Sequence, residues 1–171
     1  MTDFGGPQRI TRGAMQYDWG GLWPPSLHVK KGPASVISID GVLLPNKPLS
    51  NFKIEDAIKK LGVPGFQGVF VRDSLPNKPK RTECGVLNLA DSSGNGTHWV
   101  AWFKRNGKNY YFDSFGIQPP IEFVRYLRPP ILYNTVKIQS NEQVFYGHLC
   151  IYVLKQATLG RDLQEILNDL H

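Results

Sequence analysis

The chain has 171 residues, with 41% hydrophobic and 20% charged side chains, a balance that suits one globular domain and excludes a disordered or fibrous chain. No apolar run approaches the roughly 20 residues of a membrane-spanning helix, and Met1 to Gly6 lack the basic-then-apolar order of a signal peptide, so a protein that is neither secreted nor in a membrane is the expectation. The net charge of +6 is uneven: residues 1–90 hold 12 Lys/Arg against 7 Asp/Glu, and residues 91–171 hold 8 against 7, which fits either an anionic partner such as DNA drawn to the N-terminal half or a merely solvated surface.

Residues 1–35 carry Gly-Gly twice, Pro24-Pro25 and Gly32-Pro33, with neither helical nor strand periodicity. They predict an extended N-terminal arm over 1–45, ahead of a domain over 46–171. Trp19, Leu22 and Trp23 suggest that the arm docks on its own domain or on a partner. Val36 to Ile39 is a short strand candidate, followed by a turn at Asp40-Gly41. Ser50 or Asn51 caps a helix through Leu61, with Ile54, Ala57, Ile58 and Leu61 on one face and Gly62 as its stop.

Gly68 to Arg72 reads as a strand, and Leu75 to Arg81 as a basic, proline-rich loop holding Lys78, Lys80 and Arg81. Cys84 to Leu89 is a strand. Trp99 to Phe103 and Asn109 to Phe112 form a hairpin about the turn Arg105-Asn106-Gly107-Lys108. Pro119-Pro120 opens a helix over Ile121 to Leu127. Tyr133 to Gln139 is a predicted strand, Gly147 to Lys155 fits strand or helix, and Asp162 to Leu170 is a helix with Leu163, Ile166, Leu167 and Leu170 at helical spacing. Mixed elements without strict alternation predict an α+β domain.

Four segments carry chemistry. They are Gly96-Thr97-His98-Trp99, then Phe112-Asp113-Ser114-Phe115-Gly116, then Gln139, then Phe145-Tyr146-Gly147-His148. A cysteine protease needs a thiolate, a His to activate it, a group to orient that His, and donors for the oxyanion. His98 begins one hairpin strand and Asp113 ends its partner, so pairing brings them to the same end of the hairpin.

In this order and spacing, the segments resemble the adenovirus protease (adenain) family of cysteine proteases. The resemblance covers roughly residues 50–160. It implies a papain-related, ubiquitin-like-protease-type α+β fold, with a central mixed or antiparallel sheet flanked by helices. His98 matches the family's His, Asp113 its acid, and Gln139 its oxyanion residue; seven residues on, at the nucleophile, stands Tyr146, followed by the expected Gly147.

A phenol with a pKa near ~10 cannot stand in for a thiolate that His keeps ionised at neutral pH. The expectation is a pseudoprotease in which His98 and Asp113 survive as a bonded pair and Tyr146 bonds to His98. What the resemblance implies is a virion-associated structural, assembly or binding protein, found in the virion or in the nucleus or cytoplasm of infected cells. Its expected partners are viral capsid proteins or a viral peptide, with DNA on the basic N-terminal half, and neither a cofactor nor a metal is expected.

The alternative is an active viral endopeptidase that processes capsid precursors, through another thiol or as a nucleophile-substituted form. Its candidate thiols are Cys150, four residues past Tyr146 in the run Leu149 to Leu154, and Cys84. The plain reading of both is a buried small hydrophobe. His148 points either into the core or into the site.

Overall fold

The computed structural model describes residues 8–10, 26–30, 36–90, 98–138 and 145–170. Among these described residues, nine strands and four helices run in the order β1 (Gln8–Ile10), β2 (Leu27–Lys30), β3 (Val36–Ile39), β4 (Val42–Pro45), α1 (Asn51–Lys60), β5 (Phe66–Val71), β6 (Glu83–Asn88), β7 (Trp99–Arg105), β8 (Lys108–Phe112), α2 (Ile121–Leu127), β9 (Ile131–Asn134), α3 (Tyr146–Thr158) and α4 (Leu163–Asn168). The main sheet has the order β1-β9-β8-β7-β6-β5, and β2-β3-β4 form a second, antiparallel sheet. Pairing in the main sheet is mixed: β7 pairs antiparallel with both β6 and β8, whereas β5 joins β6, β9 joins β8 and β1 joins β9 in parallel.

The alternation of the central strands divides the core. Cys84, Val86, Ala101, Phe103, Tyr110 and Phe112 face α1, α3, α4 and the small sheet. Leu87, Val100, Trp102 and Tyr111 face the other way, with Phe123, Tyr126 and Leu127 of α2. Gly85 lies opposite Trp102, and a Cβ there would fall 2.3 Å from the indole. The missing side chain is therefore the space that Trp102 fills. Glu83, 2% exposed, accepts bonds from Trp102 Nε1 (3.1 Å), Tyr126 Oη (2.6 Å) and the Lys80 amide (3.0 Å). These donors make burial of that carboxylate tolerable.

Helix α1 starts where expected. Ser50 Oγ accepts from the Lys53 amide, and Ile54, Ala57 and Ile58 form the buried face. Asp162 and Glu165 form a capping box at α4. Helix α3 resolves the strand-or-helix ambiguity, since every residue from Gly147 to Leu154 is buried. A helix enclosed on all sides shows no periodic face, so its sequence reads as a plain apolar run.

Cations of the C-terminal half are used inside the fold. Arg105 bonds the carbonyls of Ala157 and Arg161, and Lys155 bonds the carbonyl of Leu61 at the end of α1, the helix terminus where a cation is favoured.

Three expectations differ from the structure. The stretch 1–45 read as an extended arm contains β1–β4 in its described part. Leu27, Ile37, Ile39 and Leu44 join the same buried cluster as α3, and the hairpin β3–β4 turns at Asp40 (φ 45°) and Gly41 (φ 84°). Two positive φ values are the demand of a tight hairpin turn. Trp19, Leu22 and Trp23 lie outside the described residues. Second, β5 starts at Phe66, two residues before Gly68. Third, the strand expected over Tyr133 to Gln139 ends at Asn134, because the side chain of Asn134 turns into bonds with the Asp113 backbone and the Val136 carbonyl.

Candidate active site

The β7–β8 hairpin places His98 and Asp113 as its pairing predicts. Ala101 lies opposite Phe112, so the residue before β7 and the residue after β8 share one end. His98 Nε2 is 2.6 Å from Asp113 Oδ1, with the side chains 8% and 0% exposed. Asp113 Oδ1 also accepts from the Phe115 amide at 2.8 Å. A carboxylate oxygen already taking a backbone N–H is an acceptor toward His98 as well, so Nε2 is the nitrogen that carries the proton. Nδ1 is then the free atom of the ring, and it has no hydrogen-bond partner among the described residues.

Two aromatic rings hold the imidazole. Phe115 stacks on it at 4.5 Å and 10°. Tyr146 meets it at 4.5 Å and 80° and meets Phe115 at 5.2 Å and 70°. Lys137 Nζ lies 5.0 Å from the centre of the Phe115 ring. The expected hydrogen bond from Tyr146 to His98 is not made. Their contact is perpendicular ring packing, because the phenol is the first residue of α3 and its ring, rather than its hydroxyl, meets the imidazole.

Gly147 follows for a steric reason: a Cβ would lie 3.0 Å from Ile54 Cδ1 and 3.3 Å from Leu49 Cβ. Helix α3 can press its first turn against α1 only without a side chain there.

Tyr146 also forms one wall of a cleft of about 610 Å³, with Gly147, Leu49, Asn88, Trp99 and the strand β5 at Val69 to Val71. Trp99 is fixed across it by a bond from Nε1 to the Leu49 carbonyl, 3.2 Å. No charged side chain lines this cleft among the described residues, and β5 is the outer strand of the sheet.

Neither thiol is placed for chemistry. Cys150 is 0% exposed, and burial, with the Asp113 charge adding to it, holds its thiol well above the usual range. Cys84 points toward the Pro64 carbonyl at 3.8 Å and is pushed up to about 12, first by burial and then by Glu83. A thiol kept protonated in an apolar interior is inert.

His148 is a core residue. Its Nε2 lies 2.8 Å from the Pro45 carbonyl, tying α3 to β4, and burial lowers its pKa to about 4 against the opposing pull of that bond. Gln139 lies outside the described residues. Sequence reasoning singles out neither Phe115 nor Asn134. Phe115 stands within a quoted motif, whereas nothing local marks Asn134, whose partner is 21 residues away. Among the described residues no cluster of His, Cys, Asp or Glu could hold a metal ion, and no helix is long and apolar enough to cross a membrane.

A mixed sheet flanked by helices makes an α+β fold, with a His–acid pair at one end of its central hairpin and position 146 at the head of a buried helix. Among solved structures, the chain is similar to the ASFV pS273R protease, known from a selenomethionine crystal structure, with a TM-score of 0.53 and 16% identity over 73% of this chain. The match covers 65% of that protease's length, and at this identity the likeness is one of fold. No family model and no curated protein matches the chain.

Proposed function

We propose that this chain is a pseudoprotease: a viral protease fold that has lost its attacking atom and retains its cleft for binding. The observation that carries this reading is Tyr146 at the head of α3, packed edge-on against an imidazole still bonded to Asp113. A phenol has a pKa near ~10 and a bulk that fills the place of a scissile carbonyl, so the pair has nothing to activate. The burial of Cys84 and Cys150 disfavours an enzyme working through another thiol.

The uncharged cleft beside an outer strand suits an extended, largely apolar peptide. Such a peptide would add main-chain bonds to β5 and bury its side chains against Trp99 and Leu49. The partner of this reading is a viral capsid protein or peptide, and the setting is a virus particle or its assembly in the infected cell. The basic N-terminal half supports DNA as a second partner.

The test is covalent labelling. A peptide vinyl sulfone should leave the wild-type chain unmodified and should label Tyr146→Cys at residue 146. Labelling of Cys84 or Cys150 in the wild-type chain, with peptide hydrolysis, would establish an active enzyme instead.

A further inference from the structure

The acid of the pair is held by a strand that takes no part in the hairpin. Asn134, 1% exposed at the end of β9, grips the main chain of Asp113 from both sides. Its Oδ1 accepts from the Asp113 amide at 3.1 Å, and its Nδ2 donates to the Asp113 carbonyl at 2.6 Å and to the Val136 carbonyl at 3.2 Å. The segment that follows closes on the same loop. The Ile138 amide donates to the Ser114 carbonyl at 2.7 Å. At Gly116 (φ 70°) a Cβ would come within 2.7 Å of the Thr135 carbonyl carbon and oxygen.

Strand β8 stops at Phe112, so sheet pairing alone does not orient the residue after it. A free carboxylate in a turn samples several rotamers. This one must keep Oδ1 within 2.6 Å of an imidazole and 2.8 Å of the Phe115 amide, a geometry that depends on where the Asp113 backbone sits.

We propose that Asn134 is the positioning residue of the His98–Asp113 pair, a buried amide clamp that aims the carboxylate at Nε2. This rests on reading the pair as one functional unit, and it adds the residue that sets its geometry. Asn134 bonds the Asp113 backbone and the Val136 carbonyl and is not among the residues that line the cleft. It acts through Asp113, and the same clamp would serve an active or an inactive site.

The experiment reads the pair directly by proton NMR. The Nε2–H of His98, bonded to a carboxylate, should give a downfield, slowly exchanging resonance, assigned by its absence from His98→Gln. The Nε2–H of His148, bonded to the Pro45 carbonyl, serves as an internal record of the core. Asn134→Ala should abolish the His98 resonance or move it upfield while leaving that of His148 in place. Asn134→Asp keeps the acceptor for the Asp113 amide but sets a carboxylate oxygen against the Asp113 and Val136 carbonyls that now accept from Nδ2, so it should fail to restore the resonance. Persistence of the His98 resonance in Asn134→Ala would overturn the proposal. Loss of both histidine resonances together would also overturn it, since the role would then be that of any buried structural residue. Absence of the His98 resonance from the wild-type chain would overturn the pair itself and the clamp with it, independently of whether any peptide binds the cleft.

Discussion

Replacing His148 with Gln should remove a pH dependence from the folded state while keeping its contact. The imidazole is buried, bonded to the Pro45 carbonyl and neutral, with a pKa lowered to about 4 by burial. In the unfolded chain the same group titrates near roughly 6.5. Between those values the unfolded chain binds the extra proton, so stability is present in full above about pH 6.5 and is lost as the pH falls toward 4. The gap is worth about 3 kcal/mol in full and about 2 kcal/mol by pH 5. The amide of His148→Gln can donate the same bond through its side-chain nitrogen and does not titrate. Urea unfolding of both proteins at pH 7, 6 and 5 isolates the effect, because every other titrating group is common to the two. The stability of the wild-type chain relative to the variant should fall by about 2 kcal/mol between pH 7 and pH 5. Parallel stability curves would refute the neutral, buried His148.

Further outcomes follow from the packing and the charge distribution. Gly85→Ala drives a methyl group into Trp102, at 2.3 Å from the indole, and should cost about 1–3 kcal/mol by denaturant titration, with a changed near-ultraviolet dichroism of Trp102. Glu83→Leu strands the Trp102 and Tyr126 donors in the core and should cost roughly 2–5 kcal/mol; a neutral outcome would mean that the carboxylate is not their acceptor. If DNA binds through the exposed basic loop, joint replacement of Lys78, Lys80 and Arg81 by Ala should lower affinity and flatten the salt dependence by up to three phosphate contacts. An unchanged slope in fluorescence anisotropy would place any DNA contact elsewhere.

The parts of this fold that sequence displays are those with local signals. Ser50 and Asp162 mark helix starts by the bonds their side chains make, and Asn106-Gly107 marks the hairpin that brings His98 to Asp113. The cleft's two identifying positions, Tyr146 and Gly147, are visible from their place seven and eight residues after Gln139, in order behind His98 and Asp113. What stays hidden depends on distant partners. Strand β4 contains Pro45, an uncommon strand residue tolerated at the sheet edge. Helix α3 has no exposed face to reveal its period. Asn134 acquires its meaning only when β9 lies beside β8. The ring-on-ring contact of Tyr146 is equally illegible, since a phenol beside an imidazole suggests a hydrogen bond until the helix start fixes where the ring points.

The central claim of the proposed function is that the His98–Asp113 pair can still activate a nucleophile supplied at position 146, and the pH profile of alkylation in Tyr146→Cys tests it most directly. A thiol at the head of α3 beside His98 should have its pKa brought into the range of about 3.5–7.5, against about 8.5 for a free cysteine. At pH 6.5 a free thiol is roughly 1% ionised, whereas one whose pKa is brought down to about 6.5 or lower is half ionised or more, so the fraction open to iodoacetamide rises about fifty-fold. The account predicts fast modification of residue 146 already at pH 6.5, lost on His98→Ala, with no uptake by the wild-type chain. An introduced thiol that reacts only as the pH approaches 8.5 would contradict it, because the pair would then be unable to activate a nucleophile even when one is supplied.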